Sequence, residues 1–183
     1  MSTPDSERVL AQTREWLEKT VIGLNLCPFA KGVYLKNQVR IVVSDAKHLD
    51  AFLDTLDDEL RHLRDTPASE TDTTLLVHPG LFDDFLVFND FLNVVDGVLE
   101  EHELEGEIQV VPFHPGFLFG GEAPGDMSHY TNRAPYPMLH LLREDSLTQA
   151  IDAFGDTAEI PERNKTVLRE LGLAGWQALF KSQ

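Results

Sequence analysis

Apolar and polar positions alternate along this chain in two distinct periods, and the switches between them outline the fold. Val39-Arg40-Ile41-Val42-Val43, Thr73-Thr74-Leu75-Leu76-Val77 and a run over about 107–113 are short and rich in β-branched residues, as strands are. Between them the spacing becomes helical. Leu49, Phe52, Leu53, Leu56, Leu60 and Leu63 form a stripe on one helix, with Ser44 or Asp45 as its expected cap. Phe82, Phe85, Leu86, Leu92, Val95 and Leu99, with Phe88 and Phe91 widening the face, form another from about Phe82 to His102, which Gly106 ends. An earlier helix carries Val9, Leu10, Thr13, Trp16, Leu17 and Val21 on one face, with Thr3 as cap, Pro4 at its first position and Gly23 at its end. Met138 to Arg143 reads as a fourth strand, with His140 alternating with Leu139 and Leu141, so His140 is expected in or near the core. A helix near 146–154 follows, then one opened by Pro161 and closed by Gly172, and a short last helix bearing Trp176 and Phe180.

Strand, helix, strand, helix, strand with connections of this size predicts right-handed crossovers. The expected fold is therefore α/β: a mostly parallel sheet of about four strands with flanking helices in two or three layers. A ferredoxin-like α+β arrangement is the alternative. No repeat or low-complexity linker divides residues 1–183, so a single domain is expected, with a long ordered loop at about 114–137.

The loop follows the second of two His-Pro-Gly triplets, each placed just after a strand: His78-Pro79-Gly80 and His114-Pro115-Gly116. Proline favours extended backbone before it and glycine permits a tight turn, so the triplet ends a strand efficiently. If the strands run parallel, both imidazoles also reach the sheet edge where α/β folds collect ligands. His78 and His114 are thus candidates for acid–base catalysis or for sharing a divalent metal. His129, Glu122, Asp126 or Cys27 would complete the metal's ligands. No compact metal-binding spacing accompanies them.

Within 114–137, Phe117, Phe119, Tyr130 and Tyr136 together with four prolines argue for an ordered loop packed over the sheet edge. Arg133 offers a planar fork for an anion, and Asn132, Tyr130 and His129 add hydrogen bonds, which points to a small anionic substrate. Equally, Arg133 can pin its own loop to an acidic helix. Cys27 lies in a turn after the first helix. It reads either as a nucleophile needing His78, His114 or His129, or as a small buried hydrophobe.

Charge narrows the partners. The chain has 183 residues and a net charge of −16, and residues 45–107 hold 18 acidic and 3 basic side chains, a balance of −15. Residues 108–143 hold 2 of each sign and are neutral, so the acidity belongs to the helices and the loop is left uncharged overall. No basic footprint for nucleic acid is present. No apolar run approaches the roughly 18 residues of a membrane span. A lone cysteine and a polar start without signal-peptide regions lead to an expected reducing, cytoplasmic setting.

Four segments together resemble a known family: Asn25-Leu26-Cys27-Pro28-Phe29-Ala30, Val111-Pro112-Phe113-His114-Pro115, Tyr130-Thr131-Asn132-Arg133 and Pro135-Tyr136-Pro137-Met138-Leu139-His140-Leu141-Leu142-Arg143. They are similar to the bacterial domain of unknown function 1415. The resemblance implies a bacterial, cytoplasmic, single-domain protein and assigns no activity. Ala134 stands where many relatives are expected to have serine, which argues against a serine nucleophile there. The expected function is a small-molecule hydrolase or group transferase at the strand ends. A non-catalytic module for a small ligand or protein is the alternative. A thiol redox role is weakened by the want of a resolving cysteine.

Overall fold

The computed structural model describes residues 5–181. Its centre is a four-stranded sheet in the order β1-β2-β4-β3, with β1 Val39–Val43, β2 Thr73–Val77, β3 Ile108–Phe113 and β4 Met138–Arg143. β1 and β2 are parallel, whereas β4 runs antiparallel to both β2 and β3. The sheet is therefore mixed, not mostly parallel as expected. The parallel expectation holds for the direction of β1, β2 and β3, which all point the same way. It fails at β4, which is reached through a long loop and not through a helical crossover, and so returns between β2 and β3.

Two crossover helices cover one face. In α3 (Leu49–Asp65), Phe52, Leu56, Leu60 and Leu63 are buried; in α4 (Phe85–Glu101), Phe88, Phe91, Val95 and Leu99 are. They pack with Leu76, Leu139, Leu141 and Ile108 in one core. Successive crossovers that advance in one direction along a sheet leave their helices on the same face. Glu59 is buried in this layer and is held by Arg40, with Nε–Oε2 at 2.8 Å. His102, at the C-terminal cap of α4, meets Asp57 of α3 at 2.8 Å, which ties the two helices together.

The opposite face is covered by α1 (Ser6–Trp16) and its continuation, a π-helical stretch over Leu17–Ile22. Val9, Trp16, Leu17 and Val21 pack on Leu75, Val77 and Met138. Helices on both faces make three layers, which rules out the ferredoxin-like alternative with its helices on one face only. Asp5 caps α1 through Glu7 N–H, while the expected Thr3 cap and Pro4 lie outside the described residues. The caps of the crossover helices also differ from expectation. His48 precedes α3, and Ser44 Oγ instead accepts the Ala46 amide at 3.3 Å. Asp84 caps α4 by accepting the Leu86 amide at 2.7 Å, since Phe82 has turned to φ 64° and cannot begin a helix.

A six-residue helix, α2 (Ala30–Leu35), was not foreseen because one and a half turns establish no period. Two helices complete the chain: α5 (Glu144–Phe154) and α6 (Ile160–Leu179), the latter broken at Gly172 where φ is 65°. No helix among the described residues is long and apolar enough to cross a membrane.

Gly23 ends the π-helical stretch where the chain leaves no room for a side chain: an added Cβ would lie 2.4 Å from the Lys19 carbonyl oxygen. Gly23→Ala is expected to cost about 1–3 kcal/mol, read as a lower midpoint in chemical denaturation. An unchanged midpoint would show that this junction relaxes freely.

Candidate functional site

The two His-Pro-Gly histidines do reach one edge and one face of the sheet. His78 follows β2 and His114 follows β3, with β4 between those strands, so the strand axes are roughly 10 Å apart. Both side chains are buried, at 1% and 3% exposure. Each ring is turned to its own backbone. His78 Nδ1 accepts the amides of Gly80 and Leu81 at 3.2 and 2.9 Å, and His114 Nδ1 accepts that of Gly116 at 2.9 Å.

Phe82 joins the pair. Its carbonyl accepts from His114 Nε2 at 2.7 Å, and its ring lies 5.9 Å from that of His78. Phe82 is bulky and held at positive φ, so the His114 bond fixes a backbone conformation that such a residue disfavours. His78 Nε2 makes no well-formed hydrogen bond among the described residues. Burial lowers the His78 pKa, and backbone acceptors at His78 and Ala46 oppose that shift. The geometry gives both imidazoles the work of locking turns. Among the described residues, no three His, Cys, Asp or Glu side chains gather as ligands for one ion.

The loop residues are similarly engaged. His129 is fully buried, accepting the Phe119 amide at Nδ1 and donating from Nε2 to the Ala123 carbonyl at 2.7 Å. Asn132 donates to the Pro112 carbonyl at 3.0 Å. Arg133 Nε donates to the Phe117 carbonyl at 3.1 Å, and its guanidinium lies 4.6 Å from the centre of the Tyr130 ring. Tyr130 packs in turn on Trp176. Arg133 thus pins its own loop, though to a loop carbonyl and not to an acidic helix. Glu122 and Asp126 pair with Lys165 and Arg169 of α6, so they fasten the loop to that helix.

The open space lies elsewhere. On the α1 face of the sheet is a cavity of about 630 Å³. Trp16, Leu17 and Val21 wall it on one side, and Cys27, Phe29, Ala30 and Val33 on another. Its floor is Leu75, Val111, Phe113, His140 and Leu142 of the sheet, and Leu147 and Ala150 of α5 close it. This size falls within the range of small-molecule sites, which are mostly apolar with a few placed polar groups.

Cys27 and His140 line the same cavity, whereas His78, His114, His129 and Arg133 do not. The turn carrying Cys27 is held by α6, where Asn164 donates to the Leu26 carbonyl at 2.8 Å and Arg163 to that of Asn25. Burial pushes the Cys27 thiol up, and the backbone amides of Phe29 and Ala30 oppose it. Arg143 also reaches the wall, but its guanidinium donates to the carbonyls of Thr66 and Thr71.

His140 is the residue that sequence reasoning placed near the core without giving it a role. Its Nε2 lies 2.5 Å from Thr73 Oγ1, and that hydroxyl donates to the Leu141 carbonyl at 2.8 Å. The tautomer that satisfies both contacts has the proton on Nε2 and the lone pair on Nδ1. Desolvation pushes its pKa down to about 4, so the ring is neutral at pH 7. The available signal was its place in β4: Met138, His140 and Leu142 share one face, while Leu139 and Leu141 take the other.

A three-layer α/β protein with an apolar cavity on one side of a mixed sheet is the class these features define. The chain belongs to the family described as Protein of unknown function (DUF1415), whose model matches residues 8–178. No curated protein and no solved structure matches it.

Two outcomes are expected of the histidines. His78→Ala leaves two turn amides without their acceptor and should cost about 1–3 kcal/mol in denaturant titrations, with His78→Asn recovering part of it. Equal stability of all three proteins would remove the turn-locking role. For His140, a folded pKa near 4 against an ordinary 6.5 means that the unfolded chain takes up the proton first as pH falls. The stability contributed is whole above about pH 6.5 and is lost toward pH 4, amounting to at most about 3 kcal/mol because the ring is only partly buried and faces the cavity. His140→Gln should therefore show a shallower fall in stability over this window than the wild type; parallel curves would contradict the lowered pKa.

Proposed function

We propose that this protein binds a small, largely apolar molecule in the cavity between the sheet and α1, α2 and α5. The observation that carries this reading is the cavity itself, about 630 Å³, whose exposed wall is mostly apolar surface with polar side chains such as Gln38, Asn132, His140 and Gln149 set into it. The geometry thereby favours the non-catalytic reading over an anion-processing enzyme. Arg133, the residue most expected to grip an anion, is engaged within its own loop.

The test is titration with N-phenyl-1-naphthylamine, an uncharged dye that brightens in apolar surroundings. Saturable brightening at one site per chain is expected, with loss in Ala150→Trp, which fills the cavity from α5. The same occupancy should slow the reaction of Cys27 with a soluble disulfide reagent. Non-saturable brightening, or binding unchanged in Ala150→Trp, would overturn the reading.

A second reading is favoured by one specific observation: Cys27 and a neutral His140 line one cavity. A thiol-dependent reaction would use the cysteine as nucleophile and the imidazole as base. The pH profile of Cys27 alkylation separates the two. Ligand binding alone predicts a midpoint above 9.0, because burial raises the thiol pKa. A midpoint near 7 would reveal a stabilised thiolate and favour the enzyme.

A further inference from the structure

His140 is a polar group set into an apolar floor, and its hydrogen bonding is half used. One ring nitrogen is committed to Thr73, whose own proton goes to the Leu141 carbonyl. This chain holds the tautomer in place, so the second nitrogen meets the cavity side of the ring as an acceptor and not a donor. Nδ1 makes no hydrogen bond among the described residues, and it is not one of the fully enclosed polar atoms, so it is open to the cavity that His140 lines. An acceptor fixed in an apolar surround discriminates strongly, because a partner lacking a donor leaves it unsatisfied. A carboxylate meets repulsion at a neutral acceptor; of the two cations that line the cavity, Arg143 is spent on the Thr66 and Thr71 carbonyls and Lys36 is solvent-exposed.

We propose that the cavity takes an uncharged molecule with an apolar body and one hydrogen-bond donor, which His140 Nδ1 accepts. This rests on the cavity being the ligand site and adds the chemical class of the ligand. A hydroxyl or N–H group seated on His140, with the remaining body against Leu75, Val111 and Phe29, uses both properties of the space.

The experiment compares three probes on one ring skeleton, 2-naphthol, 2-methoxynaphthalene and 2-naphthoate, by calorimetric titration of the full chain near neutral pH. Binding of 2-naphthol is expected to be about tenfold tighter than that of either other probe, the worth of one satisfied buried acceptor. His140→Leu should abolish that preference while retaining binding of 2-methoxynaphthalene. Nitrogen-15 NMR of the wild-type imidazole keeps the test independent of whether that variant folds. It should report the Nε2–H tautomer in the free protein and a shift of Nδ1 only with 2-naphthol. Equal affinities with Cys27 still protected would overturn this inference and leave the cavity reading standing, as would a proton found on Nδ1. Failure of all three probes to bind or to protect Cys27 would overturn both.

Discussion

The insertion of β4 between β2 and β3 is the constraint on which the rest of the structure depends. Six residues, Met138–Arg143, must satisfy two antiparallel ladders at once, with Leu141 opposite Thr74 on one side and Val110 on the other. A central strand has no edge to spare, so its alternation is imposed on both layers. Leu139 and Leu141 go to the α3–α4 core, while Met138 and His140 go to the α1 face. The histidine is placed in the cavity floor by the register that seals the opposite core. Thr73, its partner, is two positions before Leu75 on the same face of β2.

The loop at 114–137 is the means by which the chain reaches that position. It leaves β3 at one edge and must deliver β4 back into the middle of the sheet in the reverse direction. Its histidines and arginine hold the path: His114 on Phe82, His129 on Phe119 and Ala123, Arg133 on Phe117. The Arg133 carbonyl also accepts from Trp16 Nε1 at 3.0 Å, which anchors the loop to α1. These are the functional-looking residues of the chain, and their polar atoms are largely consumed in making an irregular segment ordered. Buried irregular backbone needs such partners, because no ladder supplies them.

Much of the fold was legible from local pattern. β1, β2 and β4 fall where alternation and β-branched runs place them, and α3 and α4 follow their apolar stripes to within a few residues. The break at Gly172 and the end of the first helix at Gly23 were likewise marked by glycine. Strand direction was not legible, since a period of two is the same whichever way a strand runs. The length of the 114–137 connection and its lack of helical periodicity were the signals for a reversal. The His-Pro-Gly echo correctly located two strand ends on one edge, but one triplet suits a turn lock and a ligand site alike. Only the direction of each Nδ1, toward its own Gly80 or Gly116 amide, separates them. The cavity was invisible in sequence because it is a gap between layers, set by where Trp16, Phe29 and Ala150 stop short of the sheet.

The central claim is that open apolar space lies between His140 and the helices above it. Crystals of the unmodified chain pressurised with xenon test it most directly, since xenon enters apolar cavities and is located by its anomalous scattering. The account predicts a xenon peak between Leu75, Val111 and Phe29, above the His140 ring. Side chains of α2 or α5 packed down onto the sheet, with no xenon on that face, would contradict it.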